Sequence, residues 1–338
     1  MTFPHSVYLA AGISACLAAA VASPLWRQWC LRTGLLDDPG HRKIHQAPVP
    51  LAGGLAVLTG IMLPLGLAVA YLLLRHTIQP GAGSSTHWTG LLSYGLNRRA
   101  VELGAILLGA VATVVLGWVD DRHELRPAYK FIGQLVIALA VTASGVRVTL
   151  FVPSLVFSYA VTILWILTVI NAFNFMDNMN GLCAGLGAIA AWHFACFAAR
   201  QEQYLVALIG FLMLGALLGF LPYNFPKARA FLGDAGSHLT GYLLAVLGIL
   251  PHFYSKGSEA RWAVLSPLLI LAVPLLDLAW VVLLRWRMRK PFYLGDTNHL
   301  SHRLVRAGLS REKAVVLIWV LAAALGAVPW LLMALPAR

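Results

Sequence analysis

The sequence predicts an all-α polytopic membrane protein with about ten transmembrane helices, folded as one domain over residues 1–338, with its polar site at the cytoplasmic face. Three observations predict it. Hydrophobic residues make up 59% of the chain and charged residues 11%, with a mean hydropathy of +0.77, which excludes an ordinary soluble domain. Ten apolar runs reach the roughly 17–25 residues that a helix needs to cross a hydrocarbon core. These runs are continuous and rich in Leu, Ala and Gly, without the period-two alternation of a membrane β-barrel.

The spans fall near 7–26, 51–74, 100–119, 129–145, 155–173, 181–199, 204–222, 236–254, 263–285 and 313–335. The first carries Ala20-Val21-Ala22, which imitates a signal-peptide cleavage site, but residues 1–6 hold no Lys or Arg, so it reads as a retained helix. Placing the loop after it inside puts Arg27, Arg32, Arg42, Lys43, Arg122, Arg126, Lys130, Lys227 and Arg229 on one side. The 285–313 region adds Arg285, Arg287, Arg289, Lys290, Arg303, Arg306, Arg311 and Lys313. Basic residues concentrate in cytoplasmic loops, so both termini are expected outside a bacterial-type inner membrane. The same bias, with anionic lipid headgroups, also explains any one of these cations without a binding role.

The net charge of +12 does not point to nucleic acid, because no basic domain with interleaved aromatics stands outside the spans. Cys16, Cys30, Cys183 and Cys196 form no C-x-x-C pair and predict neither a disulfide framework nor a zinc site.

Four polar islands carry aspartate, and the spacing of the spans puts all four on one side. Asp120-Asp121 end the third span in GWVDDRHELRPAYK. Two carboxylates at a helix C-terminus are unfavourable without compensation. Capping of the next helix by Asp121, with Glu124 completing a capping box, is the structural alternative, and it leaves Asp120 without a task. Asp177 lies among Asn171, Asn174, Asn178 and Asn180 in NAFNFMDNMNG. Those amides suit either a polar ligand or a turn that satisfies its own backbone. Asp234 in FLGDAGS reads as a helix N-cap or as part of an anion or metal site, with Gly233 and Gly236 admitting a phosphate or metal closely. Asp296 precedes His299 and His302, whose spacing puts both rings on one helical face beside Arg303 and suits phosphate oxygens. Asp277 lies within the ninth span and must find a partner there.

In order, DDPGHRKIHQAPVPLAGG (37–54), GWVDD with Lys130, NAFNFMDNMNG, ARAFLGDAGSHLTG, and PLLDLAW followed by HLSHRL resemble the polyprenyl-phosphate N-acetylhexosamine-1-phosphate transferases over nearly the whole chain. The resemblance is nearer the undecaprenyl-phosphate N-acetylglucosamine branch, on His302-Arg303-Leu304, than the phospho-N-acetylmuramoyl-pentapeptide branch. It implies transfer of a sugar 1-phosphate from a UDP-N-acetylhexosamine to a polyprenyl phosphate, releasing UMP, as the first membrane step of cell-envelope polysaccharide synthesis. It also implies magnesium, with manganese as a substitute, and a homodimer as a family-level expectation. Asp234 matches the family's metal-binding aspartate, with Asp121 and Asp177 as further metal candidates. Asp120 is the better candidate for accepting a proton, and His302 joins the catalytic set. Arg42, Lys43, His45 and Lys130 would hold phosphates. Asn171, Asn174, Asn180, Gly233, His299 and Arg303 would border the sugar-nucleotide site.

The chain departs from the family pattern at Asn180, an amide in place of the second acid of D-G-x-D-G, at Ser301, which replaces an imidazole of H-x-H-H, and at Leu51 in place of an arginine. A transporter or flippase for an anionic or lipid-linked substrate is the alternative class, motivated by Asp277 and by interruptions expected at Pro222 and Pro274. A silent homologue that only binds polyprenyl phosphate is a third.

Overall fold

The computed structural model describes residues 3–38, 47–78, 95, 98–149, 152–251, 261–291 and 296–334. Its helices are α1 (His5–Thr33), α2 (Gly53–Ile78), α3 (Ala100–His123), α4 (Pro127–Ala143), α5 (Leu155–Met176), α6 (Leu182–Arg200), α7 (Tyr204–Asn224), α8 (Gly233–Ile249), α9 (Ser266–Ile270), α10 (Ala272–Arg287), α11 (Leu300–Arg306) and α12 (Arg311–Ala334). Among the described residues, α1, α2, α3, α5, α6, α7 and α12 are each long and apolar enough to cross a membrane, which makes this a multi-pass membrane protein. Helices α4 and α8, with 17 residues each, supply the fourth and eighth expected spans at about 25 Å.

The ninth expected span is broken rather than continuous. Its two parts, Ala263–Ile270 and Ala272–Arg287, meet at 68°. Pro274 has no N–H to give the Ile270 carbonyl, so the helical ladder fails there and the chain turns at Leu271. Pro222, by contrast, is carried inside α7, which runs on to Asn224, so the interruption expected there does not occur.

Helix α8 is the centre of the bundle. Every residue from Ala235 to Leu247 is buried, and α8 packs against α2, α3, α5 and α6. A helix hydrophobic over most of its circumference belongs in such a position. Gly236 serves this packing, because a Cβ there would stand 3.0 Å from the Gly54 Cα of α2. The close approach that the sequence reserved for a ligand at Gly236 is therefore taken by a neighbouring helix. Around this centre, α1 packs on α7 and α2.

Connectivity brings the C-termini of α1, α3, α5, α7 and α10 to the same end as the N-termini of α2, α4, α6, α8 and α12, where they surround one cavity. A small antiparallel ladder, β1 (Leu36–Asp37) with β2 (Val49–Pro50), pairs Leu36 with Pro50 and Asp37 with Val49. It is tied to the turn before α8 by Phe231 N–H to the Pro50 carbonyl at 2.9 Å and Gly53 N–H to the Phe231 carbonyl at 2.9 Å. That brings Asp37 to the cavity wall.

Candidate active site

The cavity encloses about 920 Å³ and gathers residues from all four polar islands. Asp120, Asp121, Asn174, Asp177, Asn180, Gly233, Asp234, Asp296 and His302 line it. Asp234 projects from the first turn of α8 and does not cap the helix. Its Oδ2 accepts from Lys130 Nζ at 2.7 Å and its Oδ1 from Asn174 Nδ2 at 2.5 Å. Asn174 also donates to Ser237 Oγ at 3.1 Å. Lys130 reaches Asp120 Oδ2 at 2.8 Å, so one ammonium from α4 bridges carboxylates of α3 and α8.

The Asp120-Asp121 pair divides its work. Asp120 is buried, and its Oδ1 accepts the Leu125 N–H at 2.8 Å. Asp121 turns to the N-terminus of α8, where its oxygens accept from Asp234 N–H at 2.8 Å and Ala235 N–H at 3.1 Å. The anion at that helix start is a side chain of the protein itself, satisfying orphan amides and the positive end of the helix dipole. Gly233 makes room for it, with φ +71 and a position at which a Cβ would sit 2.8 Å from Asp121 Oδ2. The capping-box reading of Asp121 with Glu124 fails. Glu124 closes α3 in the left-handed region, and Arg126 is the N-cap of α4.

Asp177 follows the end of α5. Burial first, and the Asp234 charge second, push its carboxyl up to about 8, while the Gly233 N–H opposes them. Asn178 Nδ2 donates to the Phe175 carbonyl at 2.6 Å and Asn180 Nδ2 to the Pro226 carbonyl at 3.1 Å, so this loop is held partly by its own backbone and partly by the segment after α7. Gly181 N–H meets Asn224 Oδ1 at 2.7 Å, a structural tie that the sequence signalled only by an Asn at the end of α7.

The opposite wall comes from α10 to α12. Asp277 finds its partner in His299, with Nδ1 to Oδ2 at 2.6 Å, and its other oxygen accepts the Leu300 N–H at 2.6 Å. His299 is thereby buried, while His302 beside it lines the cavity; their ring centroids stand 6.4 Å apart, so the two lie together as the spacing suggested but only one reaches the cavity. Burial first, then His299, Arg306 and Arg311, lowers the His302 pKa and favours a neutral imidazole at pH 7. Arg303 instead lies over the Trp280 ring at 5.0 Å. Ser301, where the family pattern has an imidazole, donates to Asn178 Oδ1 at 2.6 Å and ties α11 to the Asp177 loop. Asp296 accepts from Arg285 Nε at 2.8 Å. Burial alone would raise the Asp296 pKa, but the Arg285 guanidinium and the Asn298 N–H outweigh it and hold it below the usual range.

Of the remaining expected binding residues, Lys130 is engaged by two aspartates, and Asn171 lies one turn below Asn174, hydrogen-bonded to Gln134 at 2.8 Å. Neither is among the cavity-lining residues. Arg42, Lys43 and His45 lie outside the described residues. Sequence reasoning missed Asp37, Asp38, Lys227, Arg311 and Glu312 in the lining. The aspartates belong to the DDPGH string already singled out; the others look like ordinary loop charge until the helices are assembled.

The structure is thus a multi-pass helical membrane protein in which one lysine bridges two carboxylates at the end of the bundle where the polar islands meet. Residues 103–252 match the sequence profile of glycosyl transferase family 4. The chain is 32% identical over 94% of its length to the decaprenyl-phosphate N-acetylglucosaminephosphotransferase of Mycobacterium tuberculosis, covering 80% of that protein. It is 29% identical to a probable undecaprenyl-phosphate N-acetylglucosaminyl 1-phosphate transferase of Bacillus subtilis, over 90% of this chain and 79% of the relative. Against the undecaprenyl-phosphate alpha-N-acetylglucosaminyl 1-phosphate transferase of Salmonella typhi it is 28% identical, over 90% and 78% respectively. The chain belongs to glycosyl transferase family 4.

Proposed function

We propose that the protein transfers N-acetylglucosamine 1-phosphate from UDP-N-acetylglucosamine to a polyprenyl phosphate, with the cavity as its active site. The observation that carries the reading is the carboxylate cluster around Lys130, found in a chain whose relatives are named for this transfer. An oxygen of the lipid phosphate attacks the β-phosphorus of the donor, a P–O bond forms to it, and the anhydride bond to the α-phosphate breaks with release of UMP. Two anions must approach each other in a cavity whose charged lining residues are mostly acids, so positive charge has to be supplied.

Magnesium fits this demand. Among the described residues no three His, Cys, Asp or Glu side chains form a metal-binding group, but magnesium keeps waters and needs only one or two carboxylates beside substrate phosphates. Asp234 and Asp177 would hold it, with Asp121 oriented alongside, and when bound it supplies charge neutralisation to the diphosphate. The protein's own contribution is orientation. Asn174 and Lys130 fix the Asp234 carboxylate, and Lys227, between α7 and α8, and Arg311, at the start of α12, offer further cations in the lining. The lipid phosphate is ionised near pH 7, so positioning rather than proton removal is the main requirement, and Asp120 acts first as the anchor of Lys130.

The distribution of basic residues supports an inner-membrane protein with this cavity on the cytoplasmic side and both termini outside. A homodimer belongs to the same proposal. The test is UMP release from UDP-N-acetylglucosamine in detergent, with and without undecaprenyl phosphate and magnesium, beside Asp234→Asn. Release that needs both additions and falls by roughly 10³ or more in the mutant, about 4 kcal/mol of transition-state stabilisation, is the expected result. Release from Asp234→Asn at the wild-type rate overturns the assignment.

A further inference from the structure

One helical turn deeper in the membrane lies a second polar layer that repeats the first from the same three helices. Lys130 and Gln134 are four residues apart on α4, Asp234 and His238 four apart on α8, and Asn174 and Asn171 three apart on α5, the spacings that stack side chains on one helix face. In the upper layer Lys130, Asn174 and Asp234 bond one another. In the lower layer Asn171 Nδ2 donates to Gln134 Oε1 at 2.8 Å and to the Leu167 carbonyl at 2.8 Å, and Gln134 Nε2 meets His238 Nε2 at 3.3 Å. Because Gln134 Oε1 is already accepting, its amide group is the donor to the ring. His238 Nε2 is therefore the acceptor, and the ring proton lies on Nδ1, which is buried and has no hydrogen-bond partner among the described residues. Gln134 is 1% exposed and His238 fully buried.

We propose that His238 is a positioning residue for the transfer reaction: by accepting from Gln134 it fixes the rotation of α4 and α5 about α8, and so sets where Lys130 and Asn174 meet Asp234. This rests on the transferase reading above. Apolar contacts alone specify helix rotation weakly, whereas a directional bond at depth specifies it strongly, because the alternative leaves a polar group unpaired in hydrocarbon. The upper layer gains from that constraint, since a misplacement of about 1 Å at a reacting centre costs on the order of 10²-fold in rate. His238 itself does not line the cavity and needs no contact with substrate.

The experiment compares wild type, His238→Met, His238→Gln, Gln134→Met and the double variant His238→Met/Gln134→Met in purified form. It measures kcat, the KM for the sugar nucleotide, and deuterium exchange of the backbone amides of residues 128–134. Methionine removes the acceptor at similar volume, while glutamine restores an acceptor near the place of Nε2. His238→Met is expected to lose about tenfold or more in kcat with KM within about threefold, and to quicken exchange in α4. His238→Gln should recover at least half of both, and the double variant should lose no more than the worse single one.

Wild-type kcat in His238→Met, equal impairment in His238→Gln, or multiplied losses in the double variant overturns the proposal. Should His238→Met not fold, Gln134→Met cuts the same bond from the other side, and wild-type kcat there is equally fatal. If wild type turns over no UDP-N-acetylhexosamine, the donor reading fails by itself. The exchange data then decide the positioning role: unchanged exchange in His238→Met overturns it, and quickened exchange restored by glutamine upholds it.

Discussion

The two walls of the cavity hold their aspartates in different ways. On the α3, α4, α5 and α8 side, Asp120 and Asp234 share one lysine, and Asp121 is held by two backbone amides of a helix that is itself buried throughout. On the α10 to α12 side, Asp277 and Asp296 each serve one connection, the first to His299 and the start of α11, the second to Arg285. A hub that joins several helices resists movement, because no member can shift without uncovering a buried charge. On the second wall the anchors are separate pairs, one at the start of the seven-residue α11 and the other at the C-terminal end of α10. On the proposed reading, the first wall holds the reacting groups and the second borders the sugar nucleotide.

The largest effect on this contrast should come from Lys130→Met. Removing the shared cation leaves two inward-facing carboxylates uncompensated, and the unfolding free energy should fall by about 3–5 kcal/mol, with UMP release lost. Thermal or detergent unfolding of the purified variant measures it, and a wild-type midpoint would show that the hub does not hold the wall. Asp277→Asn should act more gently. An amide still accepts the Leu300 N–H but opposes the His299 proton, so the KM for the sugar nucleotide should rise by roughly three- to tenfold while kcat stays within about threefold. Equal losses in kcat from both substitutions would erase the distinction between the walls.

Asp296→Asn should show the smallest effect, because an amide oxygen at the same place can still accept from the buried Arg285 Nε, with a defined pH dependence. The native pKa of Asp296 lies below its ordinary value of about 3.9. Its pairing with Arg285 therefore contributes fully above that pH and is lost only as pH falls through the lower native value. Melting curves should show a constant gap between wild type and mutant from pH 8 to about 5, closing below about 4. A gap that closes near pH 6 would assign it to another group.

Much of this site was legible in the sequence because alternating spans return every second loop to the same side. Asp120-Asp121, Asp177, Asp234 and Asp296 had to share one face once the spans were counted. The task of each was less legible. Asp121 reads locally as a cap for the helix that follows it, yet it caps α8, more than a hundred residues on. His299 and His302 read as a pair and their rings do lie side by side, but Asp277 engages His299 and leaves only His302 to line the cavity. Asn171 reads as a binding amide, while Gln134 and His238, which draw it into the bilayer interior, lie inside spans that gave no reason to single them out.

By itself, the sequence determined the membrane class, the helical fold and the gathering of acids at one end of the bundle, since these follow from composition, run length and the parity of the spans. Its ordered motifs also carried the family resemblance. Only the tertiary structure decided which carboxylate meets Lys130, which one is spent on a helix start, where the ninth span breaks, and that a second polar layer lies beneath the first. The physical reason is rotational. A helix buried on every side, as α8 is from Ala235 to Leu247, has no exposed face to say which side turns inward. The partners of its few polar residues are then set by packing against helices far away in sequence.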